Sequence, residues 1–182
     1  MADFNLEEKM QKALEHLDSE FQGIRTGRAH PGLVDSVKVD YYGSPMPVKQ
    51  LANVTVPEPR VLLIAPFDKS ATKLIEKAIL AANIGMTPSV DGNNIRLVVP
   101  ELTGERRKEF VKMAAKLAEE AKVALRNIRR DANDAYKKQE KASEITEDDL
   151  KKLLDDAQKT TDKFIAKVDE EFKKKEKEIL AK

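Results

Sequence analysis

Apolar residues near the start of the chain fall at Leu6, Met10, Ala13, Leu14, Leu17, Phe21 and Ile24, spacings of three and four that draw one stripe along a helix. Asn5 followed by Glu8 has the form of a capping box, and the helix is expected to end near Gly27, ahead of the Pro31-Gly32 breaker. Between Leu33 and Pro100 the texture changes. All eight prolines lie between Pro31 and Pro100, and the apolar positions become short β-branched runs: Val37 to Tyr42, Val54 to Val56, Val61 to Ile64 and Ile95 to Val99. These predict strands. One helix interrupts them, Lys69 to Asn83, carried by Leu74, Ile75, Ala78, Ile79 and Ala82, started by Asp68 or Ser70 and stopped by Gly85. Asp91-Gly92-Asn93 predicts a turn.

From Thr103 to Ala142 no proline occurs, and no glycine after Gly104, while Phe110, Ala114, Leu117, Ala121, Ala124, Ile128 and Ala135 repeat in four-three steps. At about 1.5 Å per residue this helix would run roughly 60 Å, twice the width of a small domain. After a break at Ser143-Glu144-Ile145, Thr146 with Asp149 predicts an N-cap for a further long helix on Leu150, Leu154, Ala157, Thr161, Phe164, Val168 and Phe172. None of the three amphipathic helices can bury its stripe alone, so they should form a three-helix bundle. One precedes the β-rich segment and two follow it. The fold class expected is therefore α+β: an elongated three-helix bundle of residues 1–29 and 104–182, with residues 30–103 inserted as a small β/α/β domain. Two adjacent chain crossings form a hinge around Gly27, His30, Pro31, Pro100, Thr103 and Gly104.

Composition narrows the chemistry. The 182 residues, 41% hydrophobic, suffice for a buried core, while 33 basic residues nearly cancel 32 acidic ones, so net charge makes no case for nucleic acid. With no cysteine there are no disulfides, thiolate nucleophiles or thiolate-bound zinc. No apolar run approaches the roughly 18 residues of a membrane span, and Met1 to Glu8 has the character of neither a signal nor a transit peptide. A cytoplasmic protein with no membrane partner is expected.

Catalysis finds little support. Of the two histidines, His16 flanks the first apolar stripe as a solvated residue and His30 beside Pro31-Gly32 is a turn residue. There is no phosphate-binding glycine loop and no metal-ligand spacing, so no catalytic residue, metal or cofactor is assigned. Acid pairs such as Asp148-Asp149, Asp155-Asp156 and Glu170-Glu171 sit beside lysines as a solvated helix face.

The arginines are more informative. Arg126, Arg129 and Arg130 crowd into five positions of a chain that otherwise prefers lysine, 24 to nine. A helical projection at about 100° per residue puts them on an outward arc away from the stripe, with Lys108, Lys122 and Lys137 along the same strip. The segment from Thr103 to Ala142 has 12 basic against 7 acidic residues. A guanidinium grips phosphate with two parallel hydrogen bonds where lysine offers a point charge, so the cluster fits phosphates of structured RNA. Pairing with Asp131, Asp134 or acids on neighbouring helices is the competing reading. Tyr136 is the one aromatic nearby, which disfavours recognition by base stacking. Arg25 and Arg28 form a second basic site, for which compensation of the first helix's carboxyl end is the simpler role.

The segments Ile24 to Ala29, Val39 to Pro45, Gln50 to Val56, Glu76 to Ile79, Leu102 to Lys108 and Val123 to Asn133 together make the chain resemble the bacterial ribosome recycling factor family over nearly its whole length. The resemblance implies an L-shaped molecule with a flexible elbow. It further implies a monomer without cofactor that binds large-subunit ribosomal RNA and, with elongation factor G and GTP hydrolysis by that partner, splits the post-termination ribosome, freeing messenger RNA and tRNA. Carried onto this chain, the RNA-contacting motif falls on Arg126, Arg129 and Arg130, Arg129 foremost, and the first-helix motif on Arg25 and Arg28. His30, where a small residue is expected, and Gly104, where a helix former is expected, depart from the family pattern. A different class of reading is a helical interaction or chaperone-like module whose charged bundle docks other proteins; an enzyme ranks third.

Overall fold

The computed structural model describes residues 4–181. Met1 to Asp3, part of the segment read for targeting signals, and Lys182, placed in the last helix, lie outside them. The chain divides into two compact units, one made of the stretches up to Ile24 and from Arg107 onward, the other of Arg25–Arg106. The fold is α+β.

The first unit is a bundle of α1 (Leu6–Gln22) with the longer α4 and α5, which follow the second unit in the chain. α4 covers Gly104–Lys141, 38 residues and about 57 Å at the usual rise, and α5 covers Glu147–Leu180. The bundle core is continuous from Met10, Leu17, Phe21 and Ile24 through Ala114, Ala118 and Leu125 to Phe164, Val168 and Ile179. A smaller cluster of Ala132, Tyr136 and Ala157 closes the end near the α4–α5 turn, with Leu150, Leu153 and Leu154 packed against it. Thr161, fully buried, is accommodated because its hydroxyl donates to the Ala157 carbonyl at 2.6 Å. That turn forms where the break was expected, with Ser143 left-handed at φ 56°. Thr146 and Asp149 then cap α5 reciprocally: the Thr146 hydroxyl accepts from Asp149 N, and the Asp149 carboxylate accepts from Thr146 N. Hydrogen bonds from Thr146 hold the Asp149 carboxyl below its usual pKa.

The predicted start and end of α1 differ from those observed. Asn5 is left-handed, φ 51°, and its side chain makes no cap bond, while Glu8 is engaged by Lys12 at 2.9 Å. The helix stops at Gln22, five residues before Gly27, where Gly23 N donates to the Glu20 carbonyl and Ile24 N to the Phe21 carbonyl, tightening the last turn.

In the second unit a 3-10 turn, Pro31–Val34, leads into the hairpin β1 (Lys38–Tyr41) and β2 (Ser44–Pro47), then the single turn α2 (Val48–Leu51). The antiparallel sheet that follows has the order β3-β4-β6-β5, from β3 (Ala52–Glu58), β4 (Val61–Pro66), β5 (Pro88–Asp91) and β6 (Asn94–Val98). α3 (Ala71–Ala82) buries Ala71, Ile75 and Ile79 in one core with Leu62, Ile64, Ile95 and Leu97 of the central strands. Two strands escaped the sequence reading, β2 and β5. Both carry proline, and proline survives in strands that offer an edge without a partner to which its missing N–H would donate. The Tyr42-Gly43 connection between β1 and β2 has positive φ at both residues, 50° and 85°, the backbone of a tight hairpin turn. Gly92 turns β5 into β6 at Asp91–Asn94, as the sequence indicated.

α3 also ends earlier than expected. Left-handed Asn83, φ 47°, stops it, and Gly85 belongs to the next turn. At the start, neither candidate acts as a side-chain cap of the helix proper; the Asp68 carboxylate instead accepts from Ser70 N at 2.9 Å, one turn residue earlier.

Candidate nucleic-acid interface

α4 is the element that positions the candidate interface, and its core-facing direction decides which cations are available. The fully buried residues are Ala114, Ala118, Leu125 and Ala132, whereas Leu117, Ala121, Ala124 and Ile128 are half-buried. At about 100° per residue, the true centre of the stripe is turned by roughly 70° from the one drawn through Leu117, Ala124 and Ile128. Ala114 and Ala118 enter the bundle core with Phe164 and Val168, and Ala132 enters the smaller cluster with Ala157, while Ala121 and Ala124 open onto a groove of about 240 Å³ shared with Ala13 and Leu17 of α1.

The rotation moves two cations from the outer strip into the seam with α5. Lys122 reaches Asp169 of α5 at 2.6 Å and Glu119 of its own helix at 3.1 Å, with 16% of its side chain exposed. Hydrogen bonding to Asp169 outweighs desolvation and raises its pKa. Arg129, one heptad on, is half-buried and donates from Nη1 to Oε1 of Gln158 at 2.8 Å. Lys122 and Arg129 therefore do not point outward as the projection had them. Arg130 is exposed and Arg126 half-buried, and Lys108 and Lys137 are exposed along the same flank.

Charge on this flank is not neutralised. Among the described residues, no carboxylate lies within ion-pair distance of Arg126, Arg129 or Arg130, and neither Asp131 nor Asp134 pairs with them. Arg126 and Arg130 make no hydrogen bond at all there. Tyr136 is withdrawn from the surface, 9% exposed and edge-on to Phe4 at 6.3 Å, so it offers no stacking platform. What remains is an aromatic-free row of guanidinium and ammonium groups on a rigid helix, suited to backbone phosphates.

The first-helix arginines diverge. Arg25 donates from Nη2 to the Ile84 carbonyl and fills the space beside Gly85, where a Cβ would stand 2.8 Å from its Nη1. It clamps the turn after α3 rather than the carboxyl end of α1. Arg28 is exposed, with no partner among the described residues.

The residues assigned to a hinge all lie in the second unit. Gly27, φ 76°, packs under Leu102; His30 Nδ1 accepts from Gly32 N at 2.9 Å; and Pro31 opens the 3-10 turn. Thr103 Oγ1 accepts from Arg106 N at 3.2 Å, and Gly104, the first residue of α4, has open space around it. Pro100 is exposed.

A family model described as ribosome recycling factor matches residues 17–180. The chain belongs to the ribosome recycling factor family. Its relatives include the ribosome-recycling factors of Brevibacillus brevis, 56% identical over 176 residues, 97% of this chain and 95% of that one, and of Geobacillus kaustophilus, 57% identical over 173 residues, 95% and 94%. A solution structure of a ribosome recycling factor superposes with a TM-score of 0.75 at 42% identity, covering 97% of this chain and 94% of that one. The T. thermophilus ribosome recycling factor, placed with E. coli elongation factor G on the E. coli post-termination complex, matches at a TM-score of 0.66 and 46% identity, covering 97% and 95%.

In this chain, sequence reasoning missed two residues beside the cluster. Asn133 Oδ1 is buried with no hydrogen-bond partner, one turn beyond Arg129 and Arg130 on the same side of α4. Gln158 belongs to α5 and meets Arg129 only through the bundle. A mid-helix asparagine among arginines was a usable signal for the first; the second had none. Among the described residues, no helix is long and apolar enough to cross a membrane, and no three His, Cys, Asp or Glu residues are grouped to hold a metal.

Proposed function

We propose that this chain binds large-subunit ribosomal RNA through the flank of α4 carrying Arg126, Arg129 and Arg130, and from there recycles ribosomes after termination. The observation that carries the reading is the unneutralised cationic flank: arginines on a rigid helix with no carboxylate partner among the described residues. Arg28 adds a further contact, and Arg25 serves the same region by shaping its turn. The partner GTPase is elongation factor G, the protein named with the T. thermophilus recycling factor on a post-termination complex. Its GTP hydrolysis supplies the work that separates the subunits and frees messenger RNA and tRNA, while this chain contributes binding energy and a mechanical element and catalyses nothing itself. The joint for that element lies near the two chain crossings, at Gly27, His30 and Pro31 on one strand and Pro100, Thr103 and Gly104 on the other. The protein acts as a monomer in the cytoplasm.

The test is polysome breakdown by purified ribosomes with elongation factor G and GTP, with and without this protein. Stimulation that needs all three components supports the proposal; no stimulation refutes it.

A further inference from the structure

Arg129 is held across the helix seam by a polar chain with a fixed direction. Its Nη1 donates to Oε1 of Gln158 at 2.8 Å, and Nε2 of the same Gln158 donates to Oδ1 of Asp162 at 2.9 Å. An ionised carboxylate can only accept and a guanidinium can only donate, so the Gln158 amide has one satisfactory orientation. Asp162, one turn along α5, thereby turns the amide oxygen toward Arg129.

The residue type at 158 matters as much as its position. Seven residues earlier on α4, Lys122 meets a carboxylate, Asp169, and its charge is neutralised in the seam. At Arg129 the acceptor is a neutral amide. It fixes the guanidinium without cancelling its charge, and it uses one N–H edge while leaving the rest of the fork for a second acceptor. A long side chain already ordered before binding loses less freedom when it meets its ligand.

We propose that Gln158 is a positioning residue that presets Arg129 for a phosphate of ribosomal RNA, with Asp162 setting the orientation of its amide. The inference rests on the RNA-binding role given to the α4 flank above. Gln158 touches Arg129 and lies on α5, outside the arginine motif; it is not itself assigned a phosphate.

The experiment measures equilibrium binding of the full chain to purified ribosomes over a series of salt concentrations, for wild type, Gln158→Met, Arg129→Ala and the double variant. Methionine keeps the length and flexibility of the side chain and removes the acceptor. Gln158→Met is expected to weaken binding about fivefold, the size of one ordered long side chain, with the salt slope unchanged. Arg129→Ala is expected to weaken binding further and flatten the slope by about one counterion. In the Arg129→Ala background, Gln158→Met is expected to have no further effect. Asp162→Ala should give a smaller loss, about twofold, that likewise vanishes without Arg129. Equal losses from Gln158→Met in both backgrounds would overturn the proposal, since Gln158 would then act without Arg129. Tighter binding by Gln158→Met would overturn it in the opposite sense, making the amide a competitor. If Arg129→Ala alone changes neither affinity nor slope, the RNA role of Arg129 fails, and positioning by Gln158 fails with it.

Discussion

Two arginine motifs of this chain look alike as text and differ as structures. On α4, Arg126 and Arg130 stand on a long rigid helix with no protein partner among the described residues, so their charge is available to a ligand. In the segment after α1, Arg25 is consumed by the fold, clamped on the Ile84 carbonyl in the gap left by Gly85, while Arg28, three residues on, is exposed. The difference teaches that a cation's role is decided by what already satisfies it. Arg129 falls between the two cases: it is fixed by the protein, yet by an uncharged acceptor that leaves its charge unspent.

The largest effect should come from reversing charge on the free flank. Arg126→Glu with Arg130→Glu is expected to lower ribosome affinity by more than about a hundredfold, since each lost charge-assisted contact is worth roughly 1.5–3 kcal/mol. The melting temperature should hold, because neither side chain has a partner among the described residues. A large drop in melting temperature would show that the flank is structural and would break the comparison.

Gly85→Ala is the next largest and concerns the clamp. A left-handed φ of 78° costs a residue with a Cβ about 1–2 kcal/mol, and the new methyl would also displace the Arg25 guanidinium. The expected outcome is a loss of thermal stability of that order, read by calorimetry. Because the clamp is already undone, adding Arg25→Ala should cost almost nothing more.

Smaller effects separate Arg25 from Arg28. Arg25→Ala should destabilise by about 1 kcal/mol, the size of one hydrogen bond at an exposed site, and speed amide exchange around Ile84. Arg28→Ala should leave stability alone and weaken ribosome binding severalfold. An inverted pattern would mean that the clamp seen at Arg25 does not carry its role.

The smallest effect tests Lys122. Its pKa is raised in the folded chain, by Asp169 above all, so its stabilising contribution is complete below the unfolded lysine value near 10.4 and is lost as pH rises through the higher folded value. Lys122→Ala should therefore destabilise slightly at neutral pH and show a shallower fall in melting temperature above pH about 10. Its ribosome affinity should match wild type. Lys137→Ala, on the exposed flank, should do the reverse.

Much of this architecture was readable from spacing alone. The helices declare themselves because three- and four-residue repeats have no other economical reading, and the Thr146–Asp149 cap formed where the sequence put it. β2 and β5 stayed hidden because their prolines argue against strands until the sheet edge that tolerates them is known. The candidate interface was half legible. The cluster was visible, but the facing of each arginine depends on which α4 residues the other two helices bury, and that is a property of three helices together. Arg25 is the extreme case: its acceptor lies 59 residues away, in a turn that no local pattern links to it.

The central claim is that the unpaired arginines of α4 hold ribosomal phosphates. It is tested most directly by the salt dependence of ribosome binding for wild type and for Arg126→Ala with Arg130→Ala. Two lost phosphate contacts should flatten the slope of log affinity against log salt by about two. Parallel lines for the two proteins would contradict the account.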